Sequence, residues 1–438
     1  MAGAESLPAT GEGGALGRSR AGDTWTPAFI AYLGYIFIIV TYKFGIGSVM
    51  MAVALATLLL QPERIRTPRF LWWFVAWIFW ASIGYLTTPF PEFVRESLIE
   101  HIKVLLVGLV AVNALRTTTQ VRYFMLFMVF SFLLFPVRAT LISYARGETV
   151  MGRAVGPFIY DNPNDLAAVS ILMLAPALAL WASEARRSPV RWLGFACAIP
   201  LVITIFLTQS RGAFLALVTI AIPSGIALAR RRLRLVVAFA AVIAVAVVKA
   251  PAGLWERLGG LRKATSLETI GQMDQEGSAR ERLALLQTAV RIIEDRPLLG
   301  IGLGAYGPAN ARYNPAVGDR DTHNTYLNIT AETGLPGLVL FLGLVTSVLR
   351  GARDARRRAR GAFLPEAEVL RWLQYGMIGY LVAAVFGSFS RLTFPYVFLG
   401  LLWSAAHVAR ARRPAAPSPL AAPGHGAHTP IAVPQHRP

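Results

Sequence analysis

The chain is short of charge. Of its 438 residues only 15% are Asp, Glu, Lys or Arg, against about 25% in soluble globular proteins. Acidic residues are scarcer still, 24 against 43 Lys and Arg. With 55% hydrophobic residues and a mean hydropathy of +0.51, this excludes an ordinary soluble domain and indicates a polytopic membrane protein. Cysteine is almost absent. Cys197 alone, inside an apolar run, allows no disulfide framework and no Cys-based metal site, and its expected role is packing. The first 24 residues lack the apolar core and cleavage site of a signal peptide, so the first spans are expected to act as the insertion signal. Residues 1–24 and the Pro/Ala/His-rich tail at 410–438 read as disordered cytoplasmic ends. His425, His428 and His436 in that tail read as incidental rather than metal-binding.

The formal net charge of +19 suggests nucleic acid until the arginines are located. They sit in short clusters between apolar runs, the arrangement that sets membrane topology, so no nucleic-acid partner is expected. About twelve runs are long enough to span a bilayer as helices: 25–42, 44–61, 69–87, 98–115, 122–143, 166–183, 192–209, 212–229, 234–250, 333–349, 373–390 and 393–409. Alternate loops carry Arg64, Arg66 and Arg69; Arg116 and Arg122; Arg186, Arg187 and Arg191; Arg230 to Arg232 with Arg234; Arg353 to Arg360; and Arg410, Arg412 and Arg413. With these clusters in the cytoplasm, both termini lie there too. The expected architecture is all-α: nine transmembrane helices over 25–250, one large periplasmic loop over 251–332, and three further helices over 333–409.

A long ordered loop usually carries function. Ser278 to Glu294, SARERLALLQTAVRIIE, repeats Leu283, Leu286, Val290 and Ile293 at helical spacing, and Ser278 with Glu281 resembles a capping box. Arg280 and Arg291 fall about 20° apart on the polar face of this amphipathic helix, which Arg296–Pro297 should end. GIGLGAYG at 300–307 contains G-x-G-x-x-G, but a helix and a proline precede it where a dinucleotide fingerprint requires a strand. Its glycines suit a tight turn that lets the backbone approach another surface.

The polar residues that interrupt the apolar pattern are the candidate site. Arg211, in TQSRGAFLAL, joins two spans on the side where arginine is disfavoured. Arg138, in FPVRAT, shares that argument more weakly. DNPND at 161–165 supplies Asp161, Asn162, Asn164 and Asp165; capping explains one of them, and a further hydrogen-bonding role is expected of the group. Residues 321–337, DTHNTYLNITAETGLPG, put His323, Asn324, Tyr326, Asn328 and Glu332 at the mouth of a span. A neutral imidazole can take a proton from an attacking hydroxyl, and Glu332 can orient the ring or position an acceptor. Asn328-Ile-Thr330 also fits a glycosylation acceptor pattern, which is too short to weigh.

In this order the features resemble the superfamily of O-antigen ligases and Wzy-type O-antigen polymerases, bacterial membrane glycosyltransferases. Its ligases carry His followed by Asn, Ser or Gln, nine residues, Gly, two residues, then Gly, Thr or Tyr. Here His323–Asn324 is followed by nine residues, then Gly334, Leu335, Pro336 and Gly337. The SRG turn at 210–212, the helix led by Arg280 and the PLLGIGLGAYG run stand in family order upstream. Motifs carry the resemblance over about 200–345, and topology alone carries it elsewhere.

The resemblance implies a polyprenyl-diphosphate-linked glycan as donor, an inner-membrane location and catalysis on the periplasmic side without metal or cofactor. The acceptor is a glycolipid such as lipid A-core in ligases, a lipid-linked glycan in polymerases, or a protein hydroxyl in oligosaccharyltransferases. Arg211 and Arg280 match arginines thought to hold the diphosphate, and His323 matches the active-site histidine. Arg138, Asp165, Asn324, Tyr326 and Arg291 remain candidates for substrate contact. Asp319 and Asp321 have D-x-D spacing, but the intervening Arg320 and the family's metal-free habit discount them. The rival from another class is a transporter or flippase for lipid-linked sugar, which would carry charge along a path near the midplane.

Overall fold

A computed structural model of the protein describes residues 24–42, 45–61, 63–229, 278–362 and 364–412. The expected span 234–250, residues 251–277 and nearly all of both expected disordered ends lie outside them. Among the described residues the fold is all-α, its one β feature an isolated bridge between Val150 and Arg153. The helices are α1 (Pro27–Thr41), α2 (Gly47–Leu59), α3 (Arg69–Gly84), α4 (Pro91–Ala114), α5 (Thr118–Phe132), α6 (Arg138–Ala145), α7 (Pro163–Ser183), α8 (Pro189–Leu207), α9 (Arg211–Ala229), α10 (Ser278–Asp295), α11 (Tyr306–Tyr313), α12 (Thr325–Gly361), α13 (Glu366–Ala383) and α14 (Phe394–Ala411). A π-helical turn containing Pro136 joins α5 to α6. Every expected span except 234–250 overlaps a helix. Among the described residues, five helical segments are long and apolar enough to cross a membrane: Pro91–Ala114, Thr118–Ala145, Pro163–Ser183, Pro189–Leu207 and Thr325–Gly361.

Local chemistry sets the helix starts. Proline occupies the first turn of α1, α4, α7, α8 and α14, where its missing N–H costs nothing. Thr117 and Gln120 form a reciprocal capping box at α5. The small, apolar α7 is buried along most of its length and packs chiefly on α8 and α13. A Cβ at Gly376 of α13 would stand 2.3 Å from that of Ala175, the close backbone approach that small residues permit between membrane helices.

The bundle has two chemically distinct ends. At one, Arg116 donates to the Arg64 carbonyl, Asn113 pairs with the backbone of Arg66, Arg122 meets Glu184, Arg410 donates to the Gly351 carbonyl and Arg412 pairs with Glu366. The polar motifs gather at the other, in the connections after α1, α3, α6, α8 and α13 and in the segment leading to α12.

The sequence places a membrane entrance at residue 333. The helix instead begins at Thr325 and breaks at Gly334 (φ 71°, ψ 179°). The nine residues between His323–Asn324 and Gly334 are therefore a separate helical segment. The break frees carbonyls at its end, and each finds a donor. Ile301 N–H reaches Ala331 O at 2.8 Å and Gly302 N–H reaches Glu332 O at 3.0 Å. Trp80 Nε1 donates to Thr333 O at 2.9 Å. Across the break, Leu335 N–H bonds the Pro297 carbonyl at 2.8 Å. The glycine run at 300–304 is thus a cap for a broken helix. Gly300 (φ 66°) lies so close that a Cβ there would stand 2.5 Å from Ala331 O. At its far end α12 continues to Gly361, beyond the expected 349, because its Ala- and Arg-rich continuation is helix-favouring and buries Ala352, Ala355 and Ala359 along one face.

Gly334→Ala should be severely destabilising. A non-glycine residue at this φ costs about 1–3 kcal/mol, and its Cβ would also stand 2.0 Å from the Leu298 carbonyl oxygen. Thermal unfolding in detergent checks this; an unchanged midpoint contradicts it.

Candidate active site

Arg211 opens α9 directly after a strained turn in which Gln209 holds φ 49°. A neighbouring loop holds that turn from behind. Ala154 N–H bonds Leu207 O at 2.9 Å, and Gln209 Nε2 donates to Gly152 O at 3.1 Å. The buried Arg153 donates from Nε to Thr208 O at 2.8 Å and from Nη2 to Asn164 Oδ1 at 2.9 Å. DNPND therefore divides its work: Asn162 caps α7, Asn164 joins it to the Arg211 turn, and Asp165 sits in its first turn.

His323 lies in the short loop before α12 with φ 53°, a conformation uncommon for a residue with a side chain and concentrated at functional sites. Its neighbours hold it there. Asn324 Oδ1 caps α12 by accepting from Tyr326 and Leu327 N–H at 3.0 and 3.1 Å. Thr322 Oγ1 meets Ser388 Oγ at 3.2 Å. Thr325 N–H bonds Ala384 O at 2.9 Å, and its hydroxyl bridges Gly387 O and Phe389 N.

The connection 384–393 between α13 and α14 is thus the platform for His323, and it also meets Arg211's turn. A Cβ at Gly212 would stand 2.8 Å from Phe386 Cβ. The third contributor is α10. Arg320 lies 3.7 Å from Glu281, which adjoins Arg280 in the helix's first turn, and Tyr306 donates its hydroxyl to Leu285 O at 2.6 Å. The SRG turn, the His323 loop and the start of α10 thus meet at one end of the bundle.

The charges around His323 depress its basicity. Burial, then the nearby Arg282 and Arg320, lower the imidazole from its ordinary value to about 4. Asp321, two residues away, moves oppositely: burial raises its carboxyl, Arg391 opposes the rise and Asp319 adds to it. Asp321 is nevertheless exposed, with Arg391 within electrostatic reach.

Arg391 and Arg153 escaped the reading of the sequence. Arg391 Nη2 donates to Gly304 O at 2.6 Å and lies 3.8 Å from Glu332 Oε1. Glu332 is buried in the last turn before the helix break and also accepts from Tyr306 N–H at 3.3 Å. Its observed partners therefore belong to the glycine run and the 384–393 connection. The signal for both arginines was present, because each shares the disfavoured end that singled out Arg211.

The remaining candidates are placed as follows. Asn324 is the cap described above. Tyr326 donates its hydroxyl to Leu381 O at 2.8 Å. Asp165 lies within electrostatic reach of Asp321 and Asp161. Arg138 is exposed at the start of α6, and Arg291 is exposed on α10. The buried face of α10 is Leu285, Thr288, Ala289 and Ile292, whereas Val290 is 44% exposed. That face differs from the expected stripe because α10 packs against α11 and α12. Asn328 is 1% exposed, inaccessible to glycosylation in the folded chain. Among the described residues no group of three or more His, Cys, Asp or Glu side chains is arranged for a metal.

Comparison with known families gives one finding. Residues 193–342 match the Wzy_C family, described as O-antigen ligase. The match covers α8, α9, α10, the glycine run, the His323 loop and the helix break, and supports the O-antigen ligase superfamily. No curated protein matches the chain. With its apolar helices, the chain is a multi-pass membrane protein.

Proposed function

We propose that this membrane protein, with an O-antigen ligase region at 193–342, transfers a glycan from a polyprenyl diphosphate to a hydroxyl on an acceptor saccharide. The reaction runs on the periplasmic face of the inner membrane. The observation carrying this reading is that Arg211's turn and the His323 loop both meet the 384–393 connection, while Glu281 at the start of α10 reaches Arg320 of that loop. An acceptor oxygen forms a bond to sugar C1, its proton passes to His323, and the C1–O bond to the diphosphate breaks with the electron pair leaving on the diphosphate. Arg211 and Arg280 pair with that growing charge; guanidinium matches phosphate oxygens bidentately and stays charged at any working pH. Glu332 acts through position, holding the glycine run against the broken helix. Transfer to lipid A-core or a similar acceptor is favoured over chain polymerisation by the His–Asn to Gly spacing. Collection of the polar motifs at one end of the bundle favours surface chemistry over translocation.

A deletion strain tests the reading. Full-length glycan retained on its lipid carrier is expected. Single repeat units on the carrier would instead identify a polymerase, and normal surface glycan with an unloaded carrier would overturn glycan transfer.

The pH profile gives a second check. Protonated His323 cannot accept a proton, so the rate falls as pH drops through its pKa. In the free protein that value is about 4, so kcat/KM for the donor should stay level down to about pH 5. A bound diphosphate offsets the charges of Arg282 and Arg320, so the limb in kcat should lie above that in kcat/KM, while burial still holds it below the ordinary value. Coincident limbs would contradict this coupling.

A further inference from the structure

A saccharide offers several hydroxyls, and His323 can deprotonate one. Groups able to choose among them lie beside it. Arg391 commits Nη2 to the Gly304 carbonyl and the Glu332 carboxylate, yet its side chain is 52% exposed. Asp321, within electrostatic reach of Arg391, is exposed too. Thr322, between Asp321 and His323, is fastened by its hydroxyl to Ser388, three residues before Arg391. One short contact thus fixes the loop bearing Asp321 and His323 against the connection bearing Arg391.

We propose that the Asp321 carboxylate and the outer edge of the Arg391 guanidinium bind hydroxyls of the acceptor saccharide and hold one of them at His323. An ionised carboxylate only accepts hydrogen bonds and a guanidinium only donates them, whereas a sugar hydroxyl does both, so adjacent hydroxyls can bridge the two. The charge distribution separates this subsite from the donor's. Arg282 and Arg320 lie on the α10 side of His323, a cationic environment suited to a diphosphate. Around Arg391 lie Glu332 and Asp321, with Asp165 in reach of the latter. These carboxylates would repel a diphosphate but suit neutral hydroxyls. Asp321 and Arg391 are thereby assigned to acceptor recognition, an assignment that rests on the glycan-transfer reading.

The test uses the full chain in nanodiscs, with purified polyprenyl-diphosphate glycan as donor. Core-only lipopolysaccharide is one acceptor and the lipid-linked glycan itself the other. Asp321→Asn should raise KM for whichever acceptor the wild type uses by about tenfold, the size expected for weakening one hydrogen bond to a charged group, while donor affinity changes less than twofold. Arg391→Gln should do the same, but it also loosens Gly304, so Asp321→Asn decides. An unchanged acceptor KM, or equal losses for donor and acceptor, overturns the assignment and leaves glycan transfer standing. A wild-type protein that forms neither product refutes glycan transfer and this assignment together.

Discussion

His323→Ala lowers glycan transfer by about 10²–10⁴-fold, the usual contribution of a positioned general base, while donor binding persists. The imidazole is half-buried and neutral at working pH, and it stands in the loop that caps α12 without being the cap. Asn324 keeps that duty in the variant. Because residue 323 has positive φ, His323→Asn is the cleaner replacement: asparagine tolerates this backbone and supplies no comparable base. Both variants should insert and unfold nearly as the wild type does. Initial rates with saturating donor, together with donor affinity, check the prediction. Undiminished turnover in His323→Asn would reduce the histidine to a structural part.

Arg211→Ala and Arg280→Ala should each lower transfer by about 10²–10³-fold, the cost of deleting one preorganised group from a developing anion. Here donor affinity should fall as well, which separates these variants from those at His323. Arg211→Lys should recover only part of the loss, because an ammonium keeps the charge without the bidentate fork. The arginine of this pair whose surroundings are described supports such selectivity. Arg211 follows a turn that Arg153, Gln209 and Asn164 hold together, so its backbone origin is fixed. Wild-type rates in both alanine variants would remove the diphosphate clamp.

Much of this architecture is legible in the sequence because the membrane imposes long apolar runs and drives arginine to one side. Helix positions, and the placing of Arg211 and His323 on one side of the membrane, follow from those two constraints, whereas their grouping in one site is what the family resemblance implies. What escaped depends on backbone contacts between distant segments. Gly334 reads as a motif position at a membrane entrance, but its role as a helix break is set by Pro297, Leu298 and the glycine run, which occupy the space beside it. The apolar stripe of α10 was chosen from residue type, but its contact with α11 and α12 buries Leu285, Ala289 and Ile292 instead. Glu332 read as a partner for the imidazole, and its observed partners are Arg391 and the N–H of Tyr306. The positive-inside argument, extended to every arginine at the motif-bearing end, would have found Arg391 and Arg153. Arg391 in particular stands between two expected spans just as Arg211 does.

The central claim is that one recess binds the diphosphate through Arg211 and Arg280 while presenting sugar C1 toward His323. A cryo-EM structure of the full chain in nanodiscs with a non-transferable lipid-diphosphate glycan tests it most directly. The account predicts phosphate density between the two guanidinium groups and the anomeric carbon on the His323 side of it. Diphosphate density elsewhere, or a bound donor contacting neither arginine, would contradict it.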